Sequence, residues 1–318
     1  MKLGVMIEGQ EGLTWERWKK IVRVTEDLGF ESLWRSDHFF SLMGARDRDA
    51  LETFVSLVHV AENTSRIRFG TLVCSMTFRH PSLLARMAAG VDQLSGGRFI
   101  LGIGAGWNVP EHEAFGIRFP PLKERMDLLE DSAAIIRGLW DHGSFSFKGR
   151  VYELKEARLS PKPAQSHAPL LIGGSGEKRT LRTVARFADE WNATPMPLER
   201  YREKVRILEA HCATARRDPR TIERSMMCGF IIGRDEADAI KRVQALQTVM
   251  PVMAQTPPDQ LLRGMATRGW LAGTPEQVVS QIKALEAEGV SRIMLQHHNQ
   301  TDFEALEIIA AEVAPAVV

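Results

Sequence analysis

Short apolar runs alternate along the chain with stretches whose apolar residues recur at three- and four-residue spacing. The first kind predicts strands buried on both faces, the second amphipathic helices. Strands are predicted at 2–7, 31–35, 67–73, 98–103, 170–173, 190–193, 224–232 and 291–297. Helices are predicted at 14–28, 50–62, 81–94, 121–140, 177–188, 198–216, 274–288 and 302–313. The pattern is clearest in 121–140, where Leu122, Met126, Leu129, Ala133, Ile136, Leu139 and Trp140 share one face. Boundary residues agree: Thr14 and Thr274 are N-cap residues, Pro81 and Pro275 suit a first turn, and Gly29 suits a C-terminal stop.

Two segments interrupt the rhythm. In 144–168, Phe145, Phe147, Val151, Tyr152 and Leu154 alternate about a turn at Lys148-Gly149-Arg150, which predicts a surface hairpin followed by a proline-rich connector. In 234–273, Pro251 and Pro257-Pro258 break a segment carrying Met250, Met253 and Met265. It is readable as a lid, a subunit contact or plain helical core packing. Eight strand–helix units in one chain predict an α/β fold, a (β/α)8 TIM barrel with insertions, as a single domain over 1–318. Ligands of such barrels sit at the C-terminal ends of the strands.

Composition narrows the setting. The 318 residues are 44% hydrophobic and 25% charged, with a net charge of +1. Neither nucleic acid nor an anionic membrane is expected as a partner. No apolar run approaches the ~18 residues of a membrane span, and the first residues turn polar too soon for a signal peptide. Cys74, Cys212 and Cys228 lie far apart and suggest neither a disulfide framework nor a zinc site. A cytoplasmic enzyme acting on a small molecule is the expectation.

Chemistry is sought just past each strand. After the fourth comes Gly102-Ile103-Gly104-Ala105-Gly106-Trp107-Asn108, which departs from the dinucleotide fingerprint because no helix opens at once. Asp37-His38, after the second, is the acid–base candidate; the alternative is a histidine satisfying a loop carbonyl beside a capping aspartate. Gly173-Gly174-Ser175-Gly176, after the fifth, offers free backbone N–H groups to a phosphate, or merely a tight turn. Glu8 ends the first strand. Arg35 and Arg79 stand where anions or surface salt bridges would engage them. His297-His298 lacks the spacing of a metal site, so no metal is expected; one of the pair is expected to line the pocket.

Trp34-x-x-Asp37-His38, Gly70-Thr71-x-Val73 with Phe78-Arg79-His80-Pro81, the run Gly97 to Trp107, and Leu171-Ile172-Gly173-Gly174 followed by Ala188-Asp189-Glu190-Trp191 resemble the luciferase-like monooxygenase superfamily. The branch they resemble most is that of oxidoreductases dependent on the deazaflavin coenzyme F420. The resemblance is specific to about residue 195 and general beyond. It implies that Asp37 approaches the deazaflavin edge and that His38 is the catalytic proton donor or acceptor. It implies a non-prolyl cis peptide at Leu72-Val73 or Val73-Cys74 against the ring. It places Ser75, Gly104, Ala105, Gly106 and Asn108 around the cofactor, and Gly173, Gly174, Ser175 and Gly176 around its phosphate. Lys178, Arg179 and Arg46 are available for its anionic tail. Glu8, Trp107, Arg79 and His298 are assigned to the substrate pocket. The family's sugar-phosphate dehydrogenases carry a catalytic glutamate where this chain has Trp107, unless Glu111 or Glu113 substitutes. The implied activity is hydride transfer between the deazaflavin C5 and an apolar or conjugated organic substrate, in a homodimer. The alternatives are an FMN-dependent monooxygenase and a flavin- or phosphate-binding barrel without turnover.

Overall fold

The computed structural model describes residues 1–318. Eight parallel strands close into a ring: β1 (Lys2–Ile7), β2 (Ser32–Arg35), β3 (Arg68–Thr71), β4 (Phe99–Gly104), β5 (Leu170–Gly173), β6 (Glu190–Ala193), β7 (Glu223–Ile232) and β8 (Arg292–Gln296). Neighbours pair in sequence order, β8 pairs with β1 (Val5 opposite Leu295), and β6 pairs with β7 (Asn192 opposite Ser225). The predicted (β/α)8 barrel is therefore present, with helices around it.

Strand alternation sorts side chains into two cores. Val5, Leu33, Phe69, Leu101, Ile172 and Leu295 point outward and pack against the helices. Met6, Trp34, Ile100, Leu171 and Met294 point inward and fill the barrel, joined by Leu72 from beyond β3. Trp34 fits because Gly4 and Gly70 leave it room: a Cβ on Gly70 would lie 2.9 Å from Trp34 Cζ3. The bottom of the barrel is closed by Arg292, which pairs with Glu31, Glu190 and Glu223.

The caps behave as their chemistry requires. Thr14 Oγ1 accepts from the Arg17 N–H, Thr274 and Gln277 form a reciprocal capping box, and Gly29 (φ +81°) follows the end of the first helix. Several boundaries differ from the sequence reading. The second helix starts at Thr53, where Glu52 caps it. The third strand stops at Thr71; the chain then bulges through a cis Leu72–Val73 peptide before Cys74–Ser75 pairs with β4. A short helix, Val109–Ala114, precedes the long helix Leu122–Asp141. The helix after β5 begins at Thr180, three residues later than expected.

The hairpin is Phe145–Lys148 against Glu153–Ala157. The other insertion folds as helices Glu236–Val249 and Pro258–Thr267 and a strand, Leu271–Gly273, that pairs with the outer end of β7. Its helices share an apolar cluster with Ile231 of β7.

Candidate active site

A cavity of about 670 Å³ opens at the C-terminal mouth of the barrel. All eight strands or the loops after them reach it: Glu8 from β1, Asp37 and His38 after β2, Leu72, Val73 and Ser75 after β3, Gly104 through Asn108 at β4, Gly173 and Gly174 at β5, then Asn192, Met227 and Gln296. Its floor is the bulge at Leu72–Val73. The Val73 side chain lies between two glycines: a Cβ on Gly104 would lie 2.7 Å from Val73 Cγ2, and one on Gly173 would lie 3.0 Å from Val73 Cγ1. A Cβ on Gly102 would meet the Thr71 carbonyl at 2.1 Å. The alternating glycines thus make room for β3 and its bulge, whose Leu72 and Val73 line the cavity.

His38 is held by Glu111. Its Nδ1 lies 2.8 Å from Glu111 Oε2, while Glu111 Oε1 accepts from the Phe39 N–H at 2.6 Å and Oε2 accepts from Asn108 Nδ2 at 2.9 Å. Glu111 is fully buried. Burial alone lowers the basicity of His38; the hydrogen bond and charge of Glu111, with the charges of Glu8 and Asp37, outweigh it and hold the pKa above the usual imidazole value. Because the carboxylate engages Nδ1, it orients the ring. Trp107 meets that ring edge-on at 5.9 Å and stands exposed at the mouth. The sequence offers Glu111 only as a stand-in at the Trp107 position, because His38, its partner in the fold, lies 73 residues away.

A second polar relay runs along the β3–β4 side. Ser75 Oγ lies 2.6 Å from Thr77 Oγ1, which lies 2.7 Å from His112 Nε2; His112 Nδ1 lies 2.7 Å from the Asn108 carbonyl. A carbonyl only accepts, so Nδ1 carries the hydrogen; in the tautomer with its hydrogen on Nδ1 alone, Nε2 accepts from Thr77. Thr77 then accepts from Ser75, which leaves the Ser75 lone pairs available to a donor in the cavity.

At the β5 end, the N–H groups of Ser175 through Arg179 donate no hydrogen bond within the protein, and Gly174 has φ +118°. The Ser175 hydroxyl is buried and unpartnered. Consecutive free amides of this kind suit an anion. Arg179, however, is committed to Asp127 and Glu130, and Arg46 lies over the Phe40 ring at 4.7 Å, so Lys178 alone of the three cations is without such a partner.

Other candidates are placed elsewhere. Arg79 does not line the cavity: it grips both carboxylate oxygens of Asp37, with Nη2 3.0 Å from Oδ1, and also reaches Glu52. Arg35 is wholly buried and donates to the carbonyls of Leu51 and Glu52, tying down the loop before the second helix. Cys74 points into the core, and burial pushes its thiol well above the ordinary value. Ser175 and Gly176 lie past the cavity wall. His298 is not a pocket residue either; it stacks on Trp270 of the insertion at 5.1 Å, and His297 stacks on Phe230 at 5.5 Å. Burial lowers the pKa of His297 to about 4.

A closed eight-stranded barrel with a histidine–carboxylate pair in its C-terminal mouth defines a TIM-barrel protein with acid–base machinery. The model of the luciferase-like monooxygenase family matches residues 1–292, and the chain belongs to that family. It is 28% identical to an F420-dependent glucose-6-phosphate dehydrogenase of Amycolatopsis mediterranei, over 87% of this chain and 88% of that one. Two solved structures share the fold: the monooxygenase RslO1 from Streptomyces bottropensis (TM-score 0.83, 22% identity, 100% of both chains) and an F420-dependent secondary alcohol dehydrogenase in complex with an F420–acetone adduct (TM-score 0.82, 20% identity, 100% and 99%).

Proposed function

We propose that the protein is an F420-dependent oxidoreductase acting on a small organic substrate with an apolar frame. The observation that carries this reading is the pairing of one orientable base, His38, with the apolar bulge at Leu72–Val73 inside a single cavity. The residues fit the cofactor at both ends. The bulge gives a tricyclic ring a surface, Ser75 offers an acceptor to its polar edge, and the free amides after Gly174 suit its phosphate, where the buried Ser175 hydroxyl lacks a partner. F420, when bound, supplies a hydride donor or acceptor.

The chain's own part is positional and acid–base. Glu111 fixes the His38 ring through Nδ1, and Nε2, which has no partner in the protein, gives up or takes the proton that balances hydride transfer. Asp37 is held rigid by Arg79 beside it. Trp107, Leu122, Phe78 and Met43 exclude water and favour an apolar substrate. Arg125 is the one lysine or arginine of the lining; its Nε and Nη1 donate to the carbonyls of Pro120 and Gly106, and no carboxylate pairs with it. The reading also takes the whole barrel with its insertions as one domain, working as a homodimer in the cytoplasm.

Titrating the purified protein with F420 and with FMN tests the assignment. Saturable binding of F420, with turnover that falls about 10²–10⁴-fold in His38→Asn, is expected. Tight FMN binding without F420 binding overturns it in favour of a flavin monooxygenase.

A further inference from the structure

Glu8 lines the same cavity as the base and is 7% exposed. Its carboxylate is anchored only by neutral amides: Gln10 Nε2 donates to Oε2 at 2.9 Å and Gln296 Nε2 donates to Oε1. The orientation of Gln10 is fixed from behind. The Gly9 N–H donates to Ser36 Oγ at 2.9 Å, which donates to Gln10 Oε1 at 2.6 Å, so Gln10 Nε2 must face Glu8. No lysine, arginine or histidine forms an ion pair with Glu8. The positive charge of His38 is already matched by Glu111, Arg125 directs its Nε and Nη1 at backbone carbonyls, and His298, the other group that feels the Glu8 charge, is held toward its neutral form by burial. Asp37, the other nearby carboxylate, is neutralised by Arg79.

An almost buried carboxylate with no ion-pair partner is costly unless something enters to pair with it. Each oxygen, having one amide donor, retains a lone pair for another. We infer that Glu8 is a specificity-determining residue: the cavity takes substrates whose apolar frame carries one N–H or O–H donor, an amine or a hydroxyl, and rejects those carrying an anion there. The inference rests on the reading above only in assigning this end of the cavity to substrate.

Three probes with one frame test it: benzylamine, benzyl alcohol and benzoate, titrated into the F420-loaded protein. F420 affinity is measured first in the wild type and in Glu8→Gln. Equal binding to both is expected; loss of F420 binding in both overturns the cofactor assignment, and the three probes then decide the role of Glu8 on the cofactor-free protein. Wild type should bind benzylamine at least about tenfold more tightly than benzoate, with benzyl alcohol between. Glu8→Gln should reduce that ratio about tenfold or more, and Glu8→Asp, which keeps the charge, should restore part of it. A wild type that does not distinguish benzylamine from benzoate, because both bind alike or neither binds, overturns the inference. So does an unchanged ratio in Glu8→Gln. Should that variant fail to fold, the wild-type ranking decides alone.

Discussion

Glu111→Gln removes one charge from the cavity wall while keeping its shape, and the consequences can be worked through donor by donor. The carboxylate accepts from Phe39 N–H, Asn108 Nδ2 and His38 Nδ1. A glutamine can keep its oxygen on the Phe39 N–H, but its amide nitrogen then faces two donors. Rotating the Asn108 amide relieves one conflict. His38 relieves the other only by moving its hydrogen to Nε2, the tautomer in which Nδ1 accepts. A hydrogen bond to a charged group contributes about 1.5–3 kcal/mol, so two lost bonds bound the cost at about 6 kcal/mol, and recovery at Asn108 leaves about 1.5–3.

The sign of the pH dependence follows from the same pair. Glu111 raises the pKa of His38 in the folded protein. The stabilisation is therefore complete below the unfolded-state value of about 6.5 and is lost as pH rises through the folded-state value. Urea unfolding should show Glu111→Gln costing more at about pH 5 than at about pH 9. The His38 ring resonances should titrate at lower pH in the variant, the limb of the pH–rate profile that reports His38 should move the same way, and kcat should fall about 100-fold. An unmoved His38 titration, or an equal stability loss at both pH values, refutes the reasoning.

Glycine substitutions should separate backbone clashes from side-chain ones. Gly102→Ala drives a Cβ onto the Thr71 carbonyl and should destabilise the protein by about 3 kcal/mol in urea, with no single side-chain change to rescue it. Gly104→Ala meets only Val73 Cγ2, so Val73→Ala added to it should recover part of a loss of about 1–3 kcal/mol. Arg79→Ala leaves the buried Asp37 carboxylate without its cation and should cost about 3 kcal/mol; adding Asp37→Asn should return part of it, as read from unfolding midpoints.

The barrel was legible because its strands and helices have different apolar periods, and Thr14, Pro81 and Thr274 mark helix starts by local chemistry alone. The site was legible only where it depends on strand ends. Helix Val109–Ala114 is six residues long and contains Pro110, too little sequence to show a period, and it carries Glu111 to a partner 73 residues away. Arg79 and Asp37 were both noticed, but their mutual pairing is a tertiary fact that removes Arg79 from the pocket. His298 was expected in the lining but stacks on Trp270, a residue of the insertion that local sequence does not place beside it.

The glycines of β4 show the same distinction from the opposite side. A Gly-x-Gly-x-Gly run at the end of a barrel strand invites the reading that a ligand lies close to the backbone. Here the space that Cβ atoms would occupy is already filled: at Gly102 by the Thr71 carbonyl, at Gly104 by Val73, and at Gly106 (φ +75°) by the Ser75 hydroxyl. Each of those atoms belongs to β3 or to the bulge and turn after it. The glycines are therefore conditions for the bulge, and the bulge, carrying Leu72–Val73 as floor and Ser75 as acceptor, makes the binding surface. A larger residue at 104 should act first on Val73 and only through it on a cofactor, which is why the Val73→Ala partner separates the two accounts.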